Sequence, residues 1–264
     1  MSGNDAFILE SGHGWSRGLN NMLRIGLASW FKTRSWWVHC LIWGGIIGFI
    51  LAAVAFSPEK PSFGELVMLF GVFIGLFPAV GVTIVMQDAI VSEKREGTAA
   101  WVLSKPVTRP AFVISKVIAN TIGVLVTMVV VPGIIAYAIL SIAQKSLINP
   151  LGFLEAMLII LVNHFFFLSL TLLLGTLFAG RGPVIGIPLA VLFFQQNLIG
   201  LLPALRFVLP WTLVVGLGNT NSLAASLMTR TPVQSEHLIT LLIVLVESLL
   251  FILIGLFRFN REDF

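Results

Sequence analysis

The chain has 264 residues, of which 57% are hydrophobic and only 11% charged, where an ordinary soluble domain carries about 25% charged residues. So few charges cannot cover a water-exposed exterior, and the mean hydropathy is +0.99, so a soluble enzyme, a secreted disulfide scaffold and a disordered chain are excluded. The net charge is small, +4, and the single cysteine, Cys40, rules out an internal disulfide and any multi-cysteine metal site.

Residues 1–14 read as a cytoplasmic tail. Residues 15–37 read as an amphipathic segment. On a helix through residues 19–32, Leu19, Met22, Leu23, Gly26, Leu27 and Trp30 share one side, with Arg17, Asn21, Arg24, Ala28 and Lys32 opposite. A basic polar face with Trp15, Trp30, Trp36 and Trp37 around it suits the headgroup layer of a membrane. The segment serves either as a simple anchor before the first span or as an elbow that braces the bundle and meets a cytoplasmic partner. A signal peptide is not expected, because the first apolar run comes late, is too long for an h-region and lacks a small-residue cleavage pattern.

Residues 38–264 read as a bundle of six membrane-spanning helices, because a bilayer core about 30 Å thick needs roughly 20 apolar residues in helix. The spans are expected at residues 38–56, 66–86, 112–142, 154–178, 183–203 and 237–257. Their apolar runs are continuous, whereas barrel strands would alternate. The third is too long for one upright span, so it must tilt, bend at Pro132 or begin in the cytoplasm.

Six spans put both termini on one side, and the basic residues choose which. Arg17, Arg24, Lys32, Arg34, Lys94, Arg95, Lys105, Arg109, Lys116, Arg181, Arg258 and Arg261 fall on one face of the predicted topology; Lys60, Lys145, Arg206 and Arg230 fall on the other. That asymmetry predicts cytoplasmic termini in a multi-pass plasma-membrane protein. Lipid is the expected medium, and no nucleic-acid partner is expected.

The predicted cytoplasmic loop, residues 87–110, carries the densest information. Thr98 is expected to cap a short helix over residues 99–104, after a sharp turn at Gly97. Pro106 ends that helix, and Pro110 suits the first turn of the next. The short helix exposes Trp101, Val102 and Leu103 together, an apolar knob ringed by charge. It reads either as a docking surface for a protein or as a solvated loop whose Trp packs back on the bilayer.

The run Asp88, Ser92-Glu93-Lys94-Arg95-Glu96-Gly97-Thr98, then Leu103-Ser104-Lys105-Pro106-Val107-Thr108-Arg109, resembles the first cytoplasmic loop of ABC transporter type-2 permeases. In that family an acidic-basic run leads to Gly-Thr, a short apolar helix, then Pro and Arg before span three. The amphipathic elbow, six spans and cytoplasmic termini extend the likeness over nearly the whole chain as architecture. Ala100 departs from the pattern, since many members carry an acidic residue there. The resemblance implies a permease subunit of an ATP-driven exporter, with this loop as a coupling helix seated in a groove of a separate ATPase subunit. The implied coupling set is Asp88, Glu93, Arg95, Glu96, Gly97, Thr98, Trp101, Leu103, Pro106 and Arg109. It also implies a homodimer or heterodimer of permease chains, no cofactor in this chain, and ATP and Mg in the partner. Consistently, the sequence has no Gly-Lys dipeptide and hence no P-loop. The second predicted cytoplasmic loop, residues 179–182, is either a lesser contact or a tight turn with one basic anchor.

Polar residues within the spans are costly in lipid. Glu247 falls mid-span in the sixth, Gln195, Gln196 and Asn197 in the fifth, and Asn163 and His164 in the fourth. They either face a translocation path or dimer seam, or hydrogen-bond between helices as glue. Within the predicted external segment 204–236, the apolar run 207–218 is too short to span and is either re-entrant or surface-lying. No Gly-x-Ser-x-Gly and no His-Glu-x-x-His occurs, and the four histidines are scattered, so catalysis is not expected and neither is a catalytic or metal site. The competing readings are a secondary transporter, which needs paired broken helices in its two halves, and a membrane anchor for a cytoplasmic partner.

Overall fold

The computed structural model describes residues 14–59, 61–218 and 220–262. The expected tail, residues 1–14, lies outside the described residues apart from Gly14. Among the described residues there is no strand, and six helical stretches are long and apolar enough to cross a membrane.

The elements in chain order are α1 (Leu19–Phe31), α2 (Ser35–Ala55), α3 (Phe63–Gln87), a π-helical turn (Asp88–Ser92), α4 (Glu93–Arg95), α5 (Thr98–Leu103), α6 (Arg109–Val124), a second π-helical stretch (Leu125–Val130), α7 (Val131–Gln144), α8 (Pro150–Leu177), α9 (Arg181–Leu201), a 3₁₀ turn (Pro203–Phe207), α10 (Trp211–Val214), α11 (Leu223–Thr229) and α12 (Ser235–Asn260). The six crossing stretches are α2, α3 through α4, α6 through α7, α8, α9 and α12. Each agrees with its expected span in position.

Local chemistry sets the ends. Ser62 and Glu65 form a reciprocal capping box at the start of α3, the Ser62 N–H donating to Glu65 Oε2 at 2.7 Å. Asn149 caps α8 by accepting the Gly152 N–H at 3.0 Å, with Pro150 in the first turn where its missing N–H costs nothing. The overlong third span runs 36 residues, from Arg109 to Gln144. Its wide turn over Leu125–Val130 lies immediately before Pro132, whose ring removes one i→i−4 bond.

Lipid tails are as apolar as leucine, so packing rather than water exclusion holds such helices together. Helix α8 is the central post, with 72% of its apolar stretch buried, against 22% for α2, 28% for α9 and 22% for α12. The last three therefore present most of their surface outward. Small residues permit the closest approaches. A Cβ on Gly71 would lie 2.5 Å from the Val214 carbonyl oxygen, and one on Gly75 would lie 2.7 Å from the Val214 side chain. Helix α10 thus inserts against the middle of α3. Trp211, Thr212, Leu213, Val214 and Val215 are all buried. Within the run 207–218, Leu209 and the residues from Trp211 to Val215 are buried against the protein, so its irregular backbone is sheltered there.

Helix α1 packs along α6. Met22 and Trp30 are buried, Arg17, Asn21 and Arg24 are exposed, and Ile25, off the apolar stripe, is 62% exposed. The Trp30 ring covers Gly123, where a Cβ would meet it at 2.2 Å, and Trp30 Nε1 donates to Asn120 Oδ1 at 2.9 Å. Asn120 Nδ2 reaches Met86 Sδ at 3.6 Å, tying α1, α6 and α3 together.

Candidate functional site

The site lies at the basic end of the bundle, where Lys94, Arg109, Arg181, Arg258 and Arg261 gather. Helix α3 does not stop at Gln87. It continues through the π turn and α4 to Arg95, so the first part of the expected 87–110 loop is a helical extension of the second span. The charged residues that read as loop are good helix formers. The extra residue per turn at Asp88–Ser92 turns Ile90, Val91 and Ser92 into the protein.

Side chains bolt this extension to four other spans. Ser92 Oγ donates to Asp88 Oδ1 at 2.5 Å and accepts from Arg181 at 2.8 Å, the guanidinium lying 3.7 Å from Asp88. Arg181 opens α9. Glu93 pairs with Lys116 of α6. Lys94 pairs with Glu262, just past α12, and donates to the Gly175 carbonyl of α8 at 3.3 Å. Arg109 donates to the carbonyl of Asn260 at the end of α12. Beneath them lies an apolar cluster built on Val82, Met86, Ile90, Phe112, Leu172 and Phe259. Phe112 and Phe259 stack at 5.4 Å.

Chain direction then reverses at Gly97, in the left-handed region at φ 73°. A Cβ there would meet nothing within 4 Å, so the demand for glycine is conformational rather than steric. Helix α5 spans Thr98–Leu103, and its cap position is Gly97 without a side-chain bond. The expected Thr98 cap over residues 99–104 is therefore corrected: the turn at Gly97 starts the helix one residue early and places Thr98 inside it. Ala99 is fully buried, and Trp101 is 65% exposed. Val102 and Leu103 are half-buried against the apolar cluster, so the knob consists of Trp101 rather than of all three residues. Lys105 Nζ stands 5.3 Å from the Trp101 ring centre. Pro106 is exposed beyond the helix end.

Thr108 caps α6 by accepting the Ala111 N–H at 3.3 Å, its hydroxyl donating to the Trp15 carbonyl, while its own N–H donates to the Arg17 carbonyl at 3.1 Å. The loop and the start of α1 are thereby joined. A groove of about 570 Å³ runs beside α5, lined by Ala100, Leu103, Ser104, Val107, Arg109 and Asn260 among others.

Of the ten expected coupling residues, Asp88, Glu93 and Arg109 are tied to other spans and Leu103 is half-buried. Arg95, Glu96, Gly97, Thr98, Trp101 and Pro106 are exposed. Arg95 and Glu96 make no ion pair among the described residues. Ser92 and Lys94 stand in the family-like run but were given no coupling role, and Lys116, Asn260 and Glu262 lie outside it, since their contacts join separate helices.

A family model described as ABC-2 family transporter protein matches residues 44–264. The chain belongs to the ABC-2 transporter family. This ABC-2 protein is a non-catalytic membrane permease component with six candidate spans, and its family implies association with an ABC ATPase. Comparison with curated proteins finds no match.

The mid-span residues divide. Gln195 is fully buried, whereas Gln196 and Asn197 face outward on α9. The structure does not bring these three together. Asn163 donates to the Gly75 carbonyl at 2.9 Å and contacts His164 Nδ1 at 3.2 Å. Glu247 is half-buried, with one carboxylate oxygen enclosed by protein.

Proposed function

We propose that this ABC-2 permease is the membrane subunit of an exporter and is energised by a separate ATPase that docks on α5. The observation that carries the reading is the rigidity of the site. Trp101 projects from a short helix whose flanking segments are joined by named bonds to α6, α8, α9 and α12. A partner whose arrangement changes with ATP must pass its preference to the spans through stiff contacts, and this helix is such a lever. Twelve of the sixteen basic residues belong to this end in the predicted topology, which makes it cytoplasmic, with both termini, in the plasma membrane. Helix α1 is then the elbow, lying in the headgroup layer with Arg24 outward and Trp30 gripping α6. ATP and Mg reside in the partner. Two permease chains meet at the outward face of α9, where Gln196 and Asn197 need hydrogen-bond partners that lipid lacks. Glu247 and Gln195 face the path.

The test is Trp101→Asp. The variant inserts and folds, because Trp101 is exposed, but copurification with the ATPase and stimulation of its turnover are lost. Retained association and stimulation overturn the docking role.

A further inference from the structure

We infer that a second site at the basic end, separate from α5, holds the phosphate of an anionic phospholipid headgroup from the inner leaflet. A cavity of about 200 Å³ lies between the ends of α8 and α12 and beside α4, lined by Lys94, Thr176, Leu177, Phe178, Ala179, Arg258, Arg261 and Glu262. That volume is many times the roughly 10–15 Å³ that one water needs on the same measure, enough for a phosphodiester with its oxygens. Among the described residues of the lining, three cations face one carboxylate. Lys94 is already held by Glu262 and the Gly175 carbonyl. Arg258 has no ion pair among the described residues, and Arg261 stacks its guanidinium on the Phe257 ring at 4.0 Å, which leaves its N–H groups directed elsewhere. The remaining charge of the described lining is therefore positive, and it resides on two guanidiniums, whose fork geometry matches phosphate oxygens.

The surroundings favour a lipid over a soluble anion. Leu177 and Phe178 on the cavity wall are 43% and 39% exposed, and on α12, which also lines the cavity, Leu253, Ile254 and Phe257 are exposed too. An acyl chain packs on that surface while its phosphate reaches the cations, as at basic pockets between spans on a cytoplasmic face. The placement rests on the cytoplasmic orientation proposed above; the binding chemistry does not. Since Lys94 belongs to the extension that leads into α5, the bound headgroup touches the base of the lever.

The test is lipid retention by purified full-length protein in native mass spectra, after exchange into detergent containing equal phosphatidylglycerol and phosphatidylcholine. Wild-type protein retains phosphatidylglycerol preferentially, and the Arg258→Gln, Arg261→Gln double variant loses that preference by about tenfold or more. Each single variant gives an intermediate loss, which keeps the test informative if the double variant folds poorly. Equal retention of both lipids by the wild type overturns the proposal, as does an unchanged preference in the variants. Displacement of phosphatidylglycerol by excess inorganic phosphate assigns the site to a soluble anion and overturns the lipid. Loss of ATPase association with lipid preference intact assigns the arginines to the protein partner and does the same. The lipid-retention readouts do not depend on Trp101, so failure here is distinguishable from failure of the docking role.

Discussion

The indole N–H of Trp30 donates to Asn120 Oδ1 at 2.9 Å, over a glycine, Gly123, whose lack of a side chain makes room for the ring. One buried polar bond thus fixes the amphipathic α1 to the third span. Helix α1 behaves as part of the bundle, with Met22 and Trp30 buried in the apolar cluster it shares with α6.

That bond sets the first prediction. Trp30→Phe keeps a ring over Gly123 but leaves Asn120 without its donor in a buried setting, so stability falls by roughly 1–2 kcal/mol. Trp30→Ala also opens a cavity and costs about 3–5 kcal/mol. Thermal unfolding in detergent, compared among the three proteins, checks the ranking; equal stability of wild type and Trp30→Phe shows that the bond contributes nothing.

The Glu93–Lys116 pair, with side chains 24% and 17% exposed, holds the extension of span two against span three. Glu93→Lys and Lys116→Glu each place like charges together and lower both stability and ATPase stimulation. The double swap restores the pair, with a coupling energy on the order of 1 kcal/mol in a double-mutant cycle. Additive effects contradict a direct interaction.

At Gly97, the left-handed backbone and the empty space around it separate strain from sterics. Gly97→Asn is tolerated best, Gly97→Ala costs about 1 kcal/mol and Gly97→Val costs more. The order is read from stimulation of the ATPase at constant expression. A Val variant as active as wild type means that the turn does not set the position of α5.

Much of the fold was legible. Continuous apolar runs of bilayer length locate all six spans, because a helix that crosses lipid needs about 20 predominantly apolar residues in a row. The loop after the second span begins later than its composition suggests, since Glu93, Lys94 and Arg95 look like loop residues yet extend α3. Neither propensity nor periodicity marks the π turn that rotates Ser92 inward. Gln195, Gln196 and Asn197 looked like one polar group, but at 3.6 residues per turn neighbours diverge by about 100°, so one faces in and two face out. The partners of Trp30, Lys94 and Arg109 stand 90, 168 and 151 positions away along the chain in the bonds to Asn120, Glu262 and Asn260. Only tertiary packing brings such pairs together.

The outward amides on α9 give a prediction about assembly. Gln196→Leu with Asn197→Leu removes two groups that lipid cannot satisfy and that a second permease chain can. The monomer fraction in mild detergent rises while the folded protomer is at least as stable. Analytical ultracentrifugation reads the change, and an unaltered association constant excludes this face as the seam.

The most direct test of the docking of α5 is a crosslink. Cys40 is the only cysteine, so Cys40→Ser with Ser104→Cys leaves a single thiol at the exposed tip of the short helix, beside an intact Trp101. A heterobifunctional thiol-directed photocrosslinker attached there, followed by mass spectrometry of the adducts formed in membranes, identifies what faces that tip. The account predicts adducts with an ATP-hydrolysing subunit, and a yield that changes when ATP is bound. Adducts confined to lipid or to the permease itself, or a thiol labelled only from outside the cell, contradict it.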